Sequence, residues 1–149
     1  MRVALDTNVL ACAEGVNGPS MRDRALDLVK CLPPGSVVLP AQTLGELFQV
    51  LVRKAGRSAG SARAAILSWR TAFPVFPTSA STLLAAADLV VSHSFSFWDA
   101  VVLTAAAQAD CRLLLSEDMQ DGFIWQGVTI ANPFAPLKHP LLQPLINPA

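Results

Sequence analysis

Charge is what this chain has least of. Only 15% of its 149 residues are Asp, Glu, Lys or Arg, against about 25% in a typical soluble protein, and 52% are hydrophobic. Eleven basic residues balance eleven acidic ones, so no net charge advertises a polyanion or a membrane surface as partner. Histidine is scarcer still: His93 and His139 are the only two, and neither has zinc-site spacing. The three cysteines, Cys12, Cys31 and Cys111, are odd in number and form no CxxC pair, which argues against a disulfide framework and fits a reducing cytoplasm. No long apolar run points to a membrane: LLAAADLVV is broken by Asp88 and is too short to span a bilayer. Arg2 leads straight into a strand-like segment, with no signal-peptide pattern. Acids are missing altogether between Leu47 and Ala87, where Arg53, Lys54, Arg57, Arg63 and Arg70 fall. Such a face can bind phosphates although the chain is neutral; it is equally a solvated helical surface.

What remains is an alternation of strands and helices. RVALD (2–6), SVVLP (36–40), PVFP, CRLLLS (111–116) and GVTIA (127–131) read as short, continuously apolar strands. Between them the pattern predicts a helix opened by Ser20 with a capping-box-like Asp23, and a helix after Pro40 with Leu44, Leu47, Phe48 and Leu51 on one face. GRSAGS reads as a turn before a short helix through Ile66 and Trp69. Further helices are capped by Ser79 or Ser81 and by Ser96. Buried strands interleaved with helices imply an α/β protein with a mainly parallel sheet covered on both faces. The length fits one domain, 1–149, with a tail from Pro133 that holds five prolines and is expected to pack as an extended arm or stay partly disordered.

Against this apolar background four acids stand out: Asp6 in VALDTNVL, Glu46 in TLGELFQV, Asp99 in SFWDAVVL and Asp118 in LLLSEDMQ. A carboxylate is costly to bury unless it is paired or bound to metal. Asp6 ends the first strand and Asp118 follows the fourth, so both lie at carboxyl ends of strands, where open α/β sheets form their sites. Asp99 falls in the first turn of its helix and Glu46 in the second turn of its own, so both can lean over the same rim. Each has a plain alternative: Asp6 or Asp99 in helix capping, Glu46 on a solvent face, Asp118 in a turn. Together they predict a self-repelling cluster that needs a cation. Hard oxygen donors without nearby His or Cys favour Mg²⁺ or Mn²⁺. Such an ion implies hydrolysis of a phosphodiester by metal-activated water. The surplus apolar surface, greatest between Phe73 and Val91, predicts a partner subunit in a two-fold dimer.

Four motifs in this order resemble a PIN-domain ribonuclease, more closely the toxin of VapBC-type toxin–antitoxin pairs. They are the strand closing in Asp6-Thr7-Asn8, the helix acid Glu46, Phe97-Trp98-Asp99-Ala100, and Leu115-Ser116-Glu117-Asp118. The resemblance implies a three-layer α/β/α sandwich with five strands in order 3-2-1-4-5. It also implies a Mg²⁺- or Mn²⁺-dependent endoribonuclease, homodimeric and silenced by a small antitoxin. By this carry-over Asp6, Asp99 and Asp118 bind metal, Glu46 binds metal or orients water, and Thr7, Asn8 and Ser116 support them. Glu117 and Asp121 compete with Asp118 as the fourth ligand, and Asp121 is a candidate for a second metal. Arg53, Lys54 and Arg57 are candidate phosphate contacts. The alternatives are a PIN nuclease of RNA processing and an inactive PIN-like module that binds RNA or protein. A haloacid-dehalogenase-type phosphatase fits poorly, because Thr7-Asn8 stands where a second Asp is needed.

Overall fold

The central strands are apolar at nearly every position because both of their faces are covered. β1 (Arg2–Leu5), β2 (Val37–Pro40), β4 (Cys111–Leu115) and β6 (Val128–Ala131) are almost entirely buried in the computed structural model, which describes residues 1–147. Successive side chains alternate between the two faces, as the pleat requires. Val3, Leu5, Leu113 and Leu115 face one core, shared with α1 (Thr7–Ala13), α2 (Pro19–Cys31), α3 (Ala41–Arg53) and α4 (Ala59–Ala72). Ala4, Leu114 and Ile130 face the other, shared with α5 (Ala80–Ser92) and α6 (Phe97–Gln108). The result is the expected three-layer sandwich.

The sheet runs β3-β2-β1-β4-β6-β5, with β3 at Val75–Phe76 and β5 at Ile124–Trp125. All pairings are parallel except β5–β6. The five expected strands therefore keep the order 3-2-1-4-5, and a sixth is added. Two-residue β5 is a hairpin edge on β6, too short to leave a periodic signal in the sequence. The order reverses between β1 and β4, which puts the crevice of an open sheet at their carboxyl ends.

Three local expectations are corrected. Gly18, at φ +95°, precedes Pro19 at the first position of α2, so Ser20 lies inside the helix and does not cap it. The segment read as a turn, GRSAGS, instead contains the start of α4: Ser58 accepts from the Ser61 N–H at 3.1 Å, and the helix has 14 residues. The tail folds back on α2, neither extended throughout nor loose over 133–147. Leu142 is fully buried, and Gln143–Ile146 form a short helix, α7. Carbonyls of this proline-rich stretch are taken by cations. Arg24 donates to Phe134 O at 2.8 Å, and Lys138 donates to Pro133 O and Ala135 O at 2.7 and 2.9 Å. The last two residues of the tail lie outside the described residues.

Among the described residues no single helix is long and apolar enough to cross a membrane. The α5–α6 pair has the length only when joined across a 118° bend.

Candidate active site

Asp6 leaves the buried end of β1 and caps α1, so its position is fixed from both sides. Its Oδ1 accepts from the Thr7 N–H at 2.8 Å. Its Oδ2 accepts from Ser116 Oγ at 2.8 Å and from Asn8 Nδ2 at 3.1 Å. Ser116 is the first residue after β4, fully buried, and its hydroxyl in turn accepts from the N–H groups of Asp118 and Met119 at 3.2 Å. Asn8 completes the link across the switch point. Its amide nitrogen also reaches Ser116 Oγ at 3.1 Å and Asp118 Oδ2 at 3.3 Å, and its oxygen accepts from the Glu117 N–H at 3.1 Å. Two adjacent strand ends are thereby locked together by the support residues expected from the sequence.

Glu46, half-buried on α3, accepts from Thr7 Oγ1 at 3.3 Å. Asp99 sits in the first turn of α6, where Ser96 Oγ accepts its N–H at 3.3 Å. The return bond of a capping box, from Ser96 N–H to the carboxylate, is not formed, so the Asp99 side chain is left to the cleft. Asp6, Glu46, Asp99, Glu117 and Asp118 line one cleft of about 310 Å³, together with Thr7, Asn8, Asn17, Val50 and Lys54. Four stretches of chain far apart in sequence thus contribute carboxylates to one space.

The electrostatics follow from that crowding. Burial pushes the Asp6 carboxyl up to about 6, against the hydrogen bonds from Ser116 and Thr7, and the charges of Asp99 and Asp118 push the same way. Glu46 is also raised, first by burial and then by Asp6, with Asp99 adding to it. As the side chains stand, no three acidic, His or Cys groups among the described residues are close enough to grip one ion. The acids share a cleft but do not converge on a point. The donor set still fits a hard divalent cation: the lining holds carboxylates, amides and a hydroxyl, with no His or Cys, and the buried Asp6 carboxylate has like charges for neighbours.

The remaining candidates divide. Lys54 lines the cleft. Arg53 is exposed beside it but does not. Arg57 is turned away and bound to Glu14 at 2.9 Å. Asp121 is also apart from the cleft: its Oδ1 accepts from the Asn132 N–H at 2.9 Å and pins the exit of β6. Asn17 was not among the expected site residues; an Asn-Gly pair is a turn signal, but nothing local in it places the side chain over the cleft.

The model of the PIN domain matches residues 3–120, and the chain belongs to that family. Solved structures share its fold at low sequence identity. The toxin VapC20 of Mycobacterium tuberculosis, which cleaves the sarcin–ricin loop, is 24% identical with a TM-score of 0.63, over 75% of this chain and 86% of that one. A toxin–antitoxin complex from Klebsiella pneumoniae gives 19% and 0.66, over 89% and 98%. VapBC2 of Rickettsia felis, bound to a fragment of promoter DNA, gives 13% and 0.64, over 89% and 98%. No curated protein matches the sequence closely enough to count as a relative.

Proposed function

We propose that this PIN-domain chain, one domain with a folded tail, is a Mg²⁺- or Mn²⁺-dependent endoribonuclease and the toxin of a type II toxin–antitoxin pair in the cytoplasm. The observation that carries the reading is the gathering of Asp6, Glu46, Asp99 and Asp118 in one cleft at the sheet's switch point. Asp6, Asp99 and Asp118 are the residues to hold the ion, with Glu46 at the rim. When bound, such an ion polarises the phosphoryl group and lowers the pKa of the attacking water. Asp6 is held in orientation by Ser116, Asn8 and Thr7, so little rearrangement is needed at that ligand. Glu46, its carboxyl raised by burial, can accept a proton from a water at its edge of the cleft. Lys54 brings a positive charge to the same lining and is the residue to meet a substrate phosphate.

An antitoxin partner is supported by the fold neighbours that are themselves toxin–antitoxin complexes. A homodimer is supported by the outer face of α5, where Leu84 and Val91 are 70% and 88% exposed. The test is cleavage of structured RNA by the purified chain, with Mg²⁺ or Mn²⁺ and with chelator, beside Asp6→Asn. Discrete products that need both the metal and Asp6 support the reading. Tight RNA binding without cleavage would favour the inactive module instead.

A further inference from the structure

One carboxylate outside the acid cluster joins two pieces of the cleft wall. Glu14 follows the last turn of α1 and does not itself line the cleft. Its Oε1 accepts from Arg57 Nη1 at 2.9 Å, its Oε2 from Trp69 Nε1 at 3.0 Å, and its backbone carbonyl from Arg57 Nη2 at 2.6 Å. Both of its carboxylate oxygens and the carbonyl end of a helix are therefore tied to α4 and to the short α3–α4 link. Arg57 is anchored in turn, because its own N–H donates to Leu51 O of α3 at 3.0 Å. Lys54, three residues earlier, closes the end of α3 and lines the cleft with Val50. On the other side Glu14 begins a tight turn, with Gly15 at φ +89°, that carries Val16 and Asn17 into the cleft. Asn17 Nδ2 donates to Cys12 Sγ at 3.4 Å, so the turn is tied to a thiol that is fully buried.

We propose that Glu14 is a positioning residue for substrate: by holding Arg57 and Trp69 at once it fixes the Val16–Asn17 turn against the Val50–Lys54 end of α3, the non-acidic wall along which the RNA strand lies. The wall's shape then depends on a group that touches neither metal nor substrate. The part of this proposal that concerns RNA rests on the ribonuclease reading; the part that concerns the turn does not. Loss of Glu14 leaves the hydrogen bonds around Asp6 intact, so substrate affinity falls while the chemical step is kept.

The experiment has two arms on the full chain, with Glu14→Ala, the milder Glu14→Gln and Arg57→Ala. In the first, alkylation of Cys12 by iodoacetamide is followed by mass spectrometry in the absence of metal and RNA, with the buried Cys111 of β4 as internal control. Cys12 labelling rises several-fold in Glu14→Ala and Arg57→Ala and less in Glu14→Gln, while Cys111 is unchanged. In the second, KM for a cleaved RNA rises about tenfold in Glu14→Ala with kcat kept within about twofold, and Glu14→Gln recovers part of the loss. Protection of Cys12 unaltered in both Glu14 variants, or Cys12 and Cys111 opening together, overturns the proposal. So does an unchanged KM, or a fall in kcat alone. Failure of the wild-type chain to cut any RNA, with the labelling pattern as expected, refutes the ribonuclease reading and leaves the positioning of the turn standing.

Discussion

Helix α1 has a carboxylate at each end, and the two live under opposite rules. Glu14, at the carbonyl end, sits where the helix dipole disfavours an anion, yet every oxygen it offers is matched by a donor, two of them from a guanidinium. Asp6, at the amide end, has the favourable dipole and three hydrogen bonds, yet it is buried with Asp99 and Asp118 close enough to push its carboxyl upward. Glu14 is a carboxylate built to hold structure. The Asp6 cluster accepts an electrostatic cost in the metal-free chain, and a divalent cation is what would relieve it. Two carboxylates eight positions apart thus read as scaffold in one place and as chemistry in the other, according to what is paired with each.

The largest difference between the two ends concerns activity. If the chain is the metal-dependent ribonuclease proposed, Asp6→Asn should lower RNA cleavage by about a thousandfold or more, because a proposed ligand of the activating ion is lost. Its metal-free melting temperature near neutral pH should stay the same or rise, which calorimetry can check.

Next in size is a pH effect confined to the acidic end. The Asp6 carboxyl stands near 6 in the fold against 3.8 unfolded, so the folded state binds the proton more tightly. The stability that Asp6 contributes to the metal-free chain is therefore fully present below about pH 4 and is lost as pH rises through about 6, by at most roughly 3 kcal/mol. Urea unfolding across that window should show the slope in the wild type and a flatter curve in Asp6→Asn. An identical slope in both would place the titration elsewhere.

Glu14→Ala should behave in the opposite sense at neutral pH. It leaves Arg57 Nη1 and the Trp69 N–H without their carboxylate acceptors, while Arg57 Nη2 keeps the backbone carbonyl, at a cost of roughly 1–3 kcal/mol. A drop of about 2–4 °C in melting temperature per kcal/mol is expected. A more stable Glu14→Ala would mean that Glu14 is not a structural carboxylate.

The smallest effect separates two neighbouring cations. Lys54→Ala should reduce the slope of log RNA affinity against log salt by about 0.7, the value for one phosphate on a single strand, as measured by anisotropy. Arg57→Ala should leave that slope alone, because its guanidinium is committed to Glu14.

How far the sequence exposes this contrast depends on the kind of signal each residue leaves. Asp6, Glu46, Asp99 and Asp118 were legible because each stands in or beside an apolar run, near the end of a strand or within the first two turns of a helix. The strands themselves were legible as short apolar runs, but their order in the sheet came only with the resemblance to the PIN family, because pairing between distant strands leaves no local signal. Lys54 and Arg57 were indistinguishable in sequence, since both belong to one basic stretch and only the tertiary pairing of Arg57 with Glu14 separates them. Glu14 itself was silent: an acid at the end of a seven-residue helix before a glycine looks like any exposed turn residue. The folded tail was missed because proline removes backbone donors and hides the periodicity, while the bond that ties it to α2, Arg24 on the Phe134 carbonyl, is non-local.

The central claim is that charge repulsion at the Asp6 end is held in reserve for a divalent cation. Thermal unfolding with increasing Mn²⁺ tests it most directly, on the wild type, Asp6→Asn and Glu14→Ala. The account predicts a saturable rise in melting temperature for the wild type and for Glu14→Ala from its lower baseline, with little or none for Asp6→Asn. An equal rise in Asp6→Asn, or no rise in the wild type, would contradict it.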